Sequence, residues 1–483
     1  MKELCESPNI TMTNLCQSNV STFAGKKIHF IGVGGCGMRA LASALLKHGA
    51  IISGSDASES GYLQMFNKQG ANCWVGHSAE KITEPADYVV ISAAVKDDNP
   101  ELVKLRSMNC RIVKYAQMLG LLMDQYLGVA VSGTHGKSTT TAMTAFVLRE
   151  SGLDPSFVIG ANVDQLSGGS GVGAGKYFVA ESCEFDRSFL NLRPFLSAIL
   201  NIEEDHLDYY SGLEEILGAF KQFALNLRTG GTLVVNGEDE NIAKILKELS
   251  GIHIETFGLT SDCDWRAENP TINNGCYSFD VHYGHNSLGN CQLQLPGKHN
   301  IYNALAATAL AHHCGLKPQD IFQALGRFQG AYRRMTLKGS LDQITILDDY
   351  AHHPTEIQAS LQAARECYNP RRLWCIFQPH QHSRTRFLLN DFAKSFTAAD
   401  VVVVPEIYFV RDSETECQLV NSGDLVARIA QNGGTACYLP RFDQILQYLK
   451  SQLAAGDLVI TMGAGDIWKI ADELVHWLGR DRS

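Results

Sequence analysis

The chain has 483 residues, 45% of them hydrophobic and only 13 of them proline, which is too long for one core and too apolar for a disordered polymer; about three globular domains are expected. A formal net charge of −10 argues against broad nucleic-acid binding, which needs a basic face for the phosphates, and no apolar run approaches the ~20 residues that cross a bilayer. The 14 cysteines are scattered without a Cys-x-x-Cys pair, so they read as reduced core thiols.

Residues 1–25 lack the basic start and apolar stretch of a secretory signal and read as a loose extension, which makes the glycosylation-type triplets at Asn9 and Asn19 chance matches. A strand at Ile28–Ile31 then enters Gly32-Val33-Gly34-Gly35-Cys36-Gly37, a helix follows, and a second strand ends at Asp56. This is the dinucleotide-type fingerprint: Gly32, Gly34, Gly35 and Gly37 let backbone approach a diphosphate, and an acid about 20 residues on meets a ribose. The same glycines would also suit a merely tight turn. Further strands fit "ADYVVISAAV", which ends near Ser92, and "CRIVKYA", giving a Rossmann-like domain over 26–127.

A second domain, 128–335, opens with the strand Val129-Ala130-Val131 and the loop Gly133-Thr134-His135-Gly136-Lys137-Ser138-Thr139. The spelling is that of a phosphate-binding loop shortened between its first glycine and its Gly-Lys-Ser. Backbone N–H groups and the helix that follows would face one anion, Lys137 would reach the outer phosphates of ATP, and the Ser138 hydroxyl would hold Mg2+. An ordinary strand-turn-helix junction is the alternative. Downstream, Glu181 ends an apolar strand in the position of a magnesium-binding acid, and His206 stands between Asp205 and Asp208 as either a second metal ligand or a loop histidine paired with an acid. Asn300 and Asn303, three apart, share a helix face.

In the third segment, 336–483, the apolar strands "ITIL", "LWCIF", "VVVV" and "DLVITM" each precede a polar loop and a helix, so a parallel sheet should carry its functional loops at the strands' carboxyl ends. His352-His353 and His380-x-His382 invite a zinc reading, but no cysteine or closely spaced third histidine completes a tetrahedral set. The fold class is therefore α/β in three domains: N-terminal Rossmann-like, central P-loop ATPase-type, and C-terminal Rossmann-like.

The order of "IGVGGCGM", "GTHGKSTTTAM", "NIEEDHLD", "PGKHNIYNALAA", "FQGAYRRM", "DDYAHHPTEI", "FQPHQHSRTR", "PEIY" and "MGAGDIWKIA" resembles the Mur ligases that build the peptidoglycan peptide, over nearly the whole chain from about Lys26 to Leu478. Within that family the resemblance is to members that join L-alanine to UDP-N-acetylmuramate. It implies that ATP converts the muramoyl carboxylate to an acyl phosphate, which the alanine amine attacks to give an amide, ADP and phosphate. Lys137, His206, His352 and Arg384 would then be catalytic. Gly133 to Thr139, Asn300, Asn303 and Arg333 or Arg334 would bind ATP; Ser138, Glu181 and His206 would hold Mg2+. Gly32, Gly34, Gly35, Gly37, Asp56 and Ser92 would hold the UDP-sugar, and Tyr350, His352, His380 and Arg384 the amino acid. A cytoplasmic enzyme of cell-wall synthesis, and so of cell shape and division, is implied, acting as a monomer or weak homodimer with no nucleic-acid partner and no membrane span.

Departures from the family pattern stand at "ESCEF" for the usual "EADES", where Glu184 would replace a lost acid, at Gln381 where an arginine is usual, and at "EIYFVRDSE", which brings Arg411 toward the site. Lys221 lies in the region of a lysine that some members carbamylate. Other readings are a recycling ligase that joins a tripeptide to the same UDP-sugar, a nicotinamide-dependent oxidoreductase, and a non-catalytic nucleotide-binding regulator.

Overall fold

The computed structural model describes residues 21–92, 94–410 and 412–480; most of the N-terminal extension, with the Asn9 and Asn19 triplets' first residues, and Arg411 lie outside the described residues. Residues 21–25, expected to belong to the loose extension, instead form a turn: Phe23 is buried and its ring meets Tyr88 edge-on at 6.4 Å. Covering one phenylalanine is worth about 1.5–3 kcal/mol, enough to fix a short turn at the chain's entry to the domain.

Two compact units are present, Met1–Met118 and Leu119–Ser483. The first is one parallel sheet, ordered Asn72–Val75, Ile51–Asp56, Lys27–Ile31, Tyr88–Ile91, Arg111–Lys114. Its central strand is buried on both faces, which is why it reads as a continuous apolar run and not as an alternation. The chain reverses its direction of travel across the sheet between Lys27–Ile31 and Tyr88–Ile91. The glycine loop and Ser92 both sit at that switch, where α/β sheets bind ligands.

The second unit contains two sheets. One centres on Leu127–Ser132, flanked in parallel by Leu196–Ile199 and Tyr177–Glu181. Thr232–Asn236 and His253–Gly258 extend it on one side, and Ser156–Val158 on the other. Helix Lys137–Glu150 buries Met143, Phe146 and Val147 on one face of this sheet beside helix His299–His313, while Phe220 and Phe223 of helix Leu213–Leu225 cover the other. The same sheet ends in an antiparallel ribbon, Trp265–Asn273, Cys276–Tyr283 and Asn286–Pro296. The first turn of the ribbon is Asn274-Gly275 at φ +49° and +76°, the left-handed pair that tight hairpins require.

The other sheet runs Thr336–Leu341, Ile344–Asp349, Asp457–Met462, Arg372–Phe377, Val401–Val404, Ala436–Tyr438. All its pairings are parallel except that of the first strand. The four apolar runs anticipated from the sequence are its central strands. Among the described residues no helix is long and apolar enough to cross a membrane.

Candidate active site

The shortened loop leaves the carboxyl end of Leu127–Ser132 and enters helix Lys137–Glu150 directly. Gly133 and Gly136 have φ of +140° and +81°, and a Cβ on Gly136 would stand 2.5 Å from Asn303 Oδ1, so only glycine fits there. Asn201, which the sequence reading passed over, braces the loop: its Oδ1 accepts from His135 N at 2.7 Å, its Nδ2 donates to His135 O at 3.2 Å, and its carbonyl accepts from Thr134 N at 3.1 Å. The preorganised N–H groups at a helix start form a cradle for phosphate.

Lys137 is largely buried and donates to Gly133 O at 2.6 Å, Thr134 O at 2.9 Å and Glu184 Oε1 at 3.0 Å. Burial alone would lower its pKa, but the Glu184 carboxylate outweighs that and raises it, so the ammonium stays charged. Glu184 is therefore the acid against the lysine. Glu181 ends its strand as expected, yet its Oε2 accepts from Gly160 N at 2.6 Å. The rearranged "ESCEF" acids have thus divided the work. Next to them His206 adopts a left-handed φ of +53°, with Nε2 3.7 Å from Glu184 Oε1 and 3.8 Å from Asp205 Oδ2. Burial lowers its pKa, and its Nδ1 is buried without a hydrogen-bond partner. Ser138 lies buried in the first turn of the helix. Carboxylate and hydroxyl oxygens are the donor chemistry of a hard divalent cation beside phosphates; His206 turns Nε2 toward Glu184 and Asp205 and leaves the other ring nitrogen unpartnered. Lys221 is elsewhere, ion-paired with Glu248 at the surface.

A cavity of about 230 Å³ adjoins the loop, walled by Gly136, Thr139, Asn300, Asn303 and Arg334, with Thr355 and Glu356 opposite. The two asparagines do share a face, and they form a chain: Thr140 Oγ1 donates to Asn303 Oδ1 at 3.1 Å, Asn303 Nδ2 to Asn300 Oδ1 at 2.9 Å, and Asn300 Nδ2 to Pro296 O at 2.7 Å. The arginine pair is resolved by packing. Arg333 is committed to Asp348 Oδ2 at 2.8 Å and to the Gly463 and Gly465 carbonyls and does not wall the cavity, whereas Arg334 does.

Tyr350 and His352 follow strand Ile344–Asp349, His380 follows strand Arg372–Phe377, and Arg384 joins them from helix His382–Phe387. The His352 ring lies 5.2 Å from Tyr350 and 6.1 Å from His380, and His380 stacks on Tyr408 at 5.6 Å. Burial pushes His352 down to about 3 despite the nearby Glu356 carboxylate. Burial thus favours the neutral imidazole, which can hydrogen-bond a substrate. Arg384 is not a free guanidinium: Nε and Nη2 both donate to Asp205 Oδ1, at 2.9 and 2.7 Å, and Nη1 lies 3.2 Å from His380 Nδ1. Gln381 is buried, with Nε2 3.3 Å from Asp208 Oδ2. Through Asp205 the arginine cluster adjoins His206.

In the first unit, Gly32, Gly34, Gly35, Asp56 and Ser92 wall a separate cavity of about 750 Å³. Gly37 does not; a Cβ there would meet the Tyr115 ring at 2.9 Å, so this glycine serves helix packing. Asp56 is partly spent on the loop itself, accepting from Gly34 N at 2.8 Å and Ser58 N at 3.1 Å. His77 and Lys96 join the wall unannounced by any motif. His77 Nδ1 is 2.8 Å from Ser55 Oγ, and Ser55 donates onward to the wholly buried Glu101. With its proton given to that carboxylate, the Ser55 oxygen accepts from His77 Nδ1–H.

Three family models match in chain order: "Mur ligase family, catalytic domain" at residues 27–127, "Mur ligase middle domain" at 131–311, and "Mur ligase, glutamate ligase domain" at 333–465. A UDP-N-acetylmuramate–L-alanine ligase of Acetivibrio thermocellus is 44% identical over 450 residues, 92% of this chain and 95% of its own. One of Caldanaerobacter subterraneus subsp. tengcongensis is 41% identical over 453 residues, 93% of this chain and 97% of its own. Among solved structures, a UDP-N-acetylmuramate-alanine ligase of Thermotoga maritima matches with TM-score 0.77 at 28% identity, covering 95% of this chain and all of that one. A murein peptide ligase of Psychrobacter arcticus matches with TM-score 0.69 at 26% identity, covering 94% of this chain and 99% of its own.

Proposed function

The chain belongs to the Mur ligase family, and from that premise we propose that it ligates L-alanine to the carboxylate of UDP-N-acetylmuramate at the expense of ATP, giving UDP-N-acetylmuramoyl-L-alanine, ADP and phosphate. The observation that carries the reading is the charged Lys137 in its glycine cradle, with the Arg384–Asp205–His206 cluster in the same unit. A free carboxylate is a poor electrophile; as an acyl phosphate it has a leaving group, and the alanine amine closes the amide through a tetrahedral intermediate.

Each part of the chain has a share in this. The loop N–H groups and Lys137 hold the ATP phosphates and offset charge on the transferred phosphoryl group. Asn300, Asn303 and Arg334 hold the rest of the nucleotide in the adjoining cavity. Ser138, Glu181, Glu184 and His206 fit Mg2+, which supplies charge neutralisation at the phosphates when bound. Arg384, positioned by Asp205, together with His380, Tyr350 and neutral His352, receives the amino acid, its guanidinium facing the carboxylate and leaving the amine free. The glycine loop of the first unit, with Asp56, Ser92 and His77, takes the UDP-sugar. The enzyme works in the cytoplasm, as a monomer or weak homodimer.

Tripeptide recycling onto the same sugar is the rival reaction, and the names carried by relatives at 41–44% identity favour alanine. Phosphate release with ATP and UDP-N-acetylmuramate, run against L-alanine, glycine, L-serine and a tripeptide, tests the choice. Turnover is expected with L-alanine; turnover with the tripeptide alone would overturn the assignment.

A further inference from the structure

The paired histidines do not form a zinc set with one another, but one of them, His353, meets two ligands from elsewhere in the fold. His135 of the glycine loop, Glu203 beyond strand Leu196–Ile199, and His353 at the start of helix Pro354–Tyr368 converge so that one ligand atom from each lies within 4.8 Å of the others. His135 Nε2 is 3.4 Å from Glu203 Oε2, and His353 Nδ1 is 3.7 Å from the same oxygen. Donors around one tetrahedral ion at Zn–N and Zn–O distances of about 2.0–2.2 Å stand roughly 3.3–3.6 Å apart, so the two separations to Glu203 are near that spacing and the pair of imidazoles lies within 4.8 Å.

The outer contacts set each ligand's free atom. His135 Nδ1 is 3.3 Å from Glu356 Oε1, which leaves Nε2 for an ion; that buried Nε2 faces Glu203 Oε2 at 3.4 Å without a well-formed hydrogen bond. His353 Nε2 faces the Glu204 carbonyl at 3.2 Å, which makes Nδ1 the acceptor; that lone pair now caps helix Pro354–Tyr368, accepting from Thr355 N at 3.4 Å, and an ion would take it in exchange for this cap. Thr355 Oγ1 donates to Glu203 Oε2 at 2.6 Å and pins the carboxylate. Histidines fixed through their second nitrogen by a carboxylate or carbonyl are the usual outer shell of a metal centre.

We propose that His135, Glu203 and His353 form a further divalent-metal site of the two-histidine, one-carboxylate kind, suited to Zn2+ and separate from the magnesium donors at Ser138 and Glu181. Nitrogen donors favour a first-row transition ion over Mg2+. His135 and Glu203 also line the cavity beside the loop, from which water would complete the coordination. Since the ligands come from the phosphate loop and from the last domain, the ion ties these two elements together.

The test is Zn2+ retention by the full chain, stripped with chelator, reloaded without nucleotide and dialysed, with metal read by atomic emission. One ion per chain is expected. His353→Gln and Glu203→Gln should each weaken binding at least about 100-fold, since loss of an outer-shell partner alone costs 10–100-fold, whereas Glu181→Ala should retain the ion. If a variant does not fold by circular dichroism, X-ray absorption of the Zn-loaded parent decides, reading two imidazoles and one oxygen ligand from the protein. A parent that keeps no Zn2+, or a folded His353→Gln that keeps it equally well, would reduce the cluster to a hydrogen-bonded contact.

Discussion

The two glycine loops have the same backbone design and differ in the side chain set against the loop itself. Gly32–Gly37 and Gly133–Ser138 each leave a central parallel strand at a switch point and open a helix. In the first, the loop amide of Gly34 is answered by Asp56, and the charge behind it, Glu101, is buried and tied to neutral donors and histidines. In the second, an ammonium stands inside the cradle, held charged by Glu184. Glycines and a helix start make a place where phosphate can rest. Whether phosphate is merely bound or transferred depends on the cation beside it.

Removing that cation should have the largest effect. Lys137→Ala is expected to lower phosphate-release turnover by about 10³-fold or more while leaving the Kd for UDP-N-acetylmuramate unchanged, read by kinetics and equilibrium binding side by side. Comparable loss of sugar-nucleotide binding would erase the distinction between the loops. Arg384→Ala comes next. It leaves Asp205 as an unpaired buried charge, so stability should fall by about 3–5 kcal/mol in urea melts, and the alanine KM should rise in the protein that remains folded. An unaltered alanine KM would move the amino-acid pocket elsewhere.

His77→Ala sharpens the comparison from the other side. Loss of one hydrogen bond of about 0.5–1.5 kcal/mol should raise the KM for the sugar nucleotide up to about tenfold and leave the ATP KM alone; the reverse pattern would remove His77 from the first loop's cavity.

The smallest effect is pH dependence. Burial would raise the pKa of Glu101, but His29, Ser55 and the Ser78 amide together lower it below the usual 4.5. A depressed carboxylate contributes stability that is present above about pH 4.5 and is lost as pH falls through its folded value. Lys137, raised above 10.5, contributes up to that pH and weakens only beyond it. Acid should therefore weaken the first unit's network while leaving the lysine's charge intact. Glu101→Gln should flatten the decline of the urea midpoint on acidification, and an unchanged slope would assign the acid sensitivity to other groups.

The sequence by itself determined the α/β class, the order of three sheets, both glycine loops, the shared face of Asn300 and Asn303, and the loops that gather Tyr350, His352, His380 and Arg384. The first four rest on short-range geometry, on strand and helix periods and on glycines whose φ a side chain would forbid, whereas the grouping of Tyr350, His352, His380 and Arg384 was implied by the family resemblance. Even the unread ribbon carried its signal in Asn274-Gly275. Tertiary structure alone decided which of two like neighbours is used. Arg333 goes to Asp348 and leaves Arg334 on the cavity, Glu184 and not Glu181 takes Lys137, and Asp205 claims Arg384. It also assembled His77 with Ser55 and Glu101, and His135 with Glu203 and His353, from segments far apart in the chain. The reason is that burial and charge act through space: a side chain's partner, and with it its protonation, is set by whatever other strands and helices pack against it, and local sequence carries no record of that.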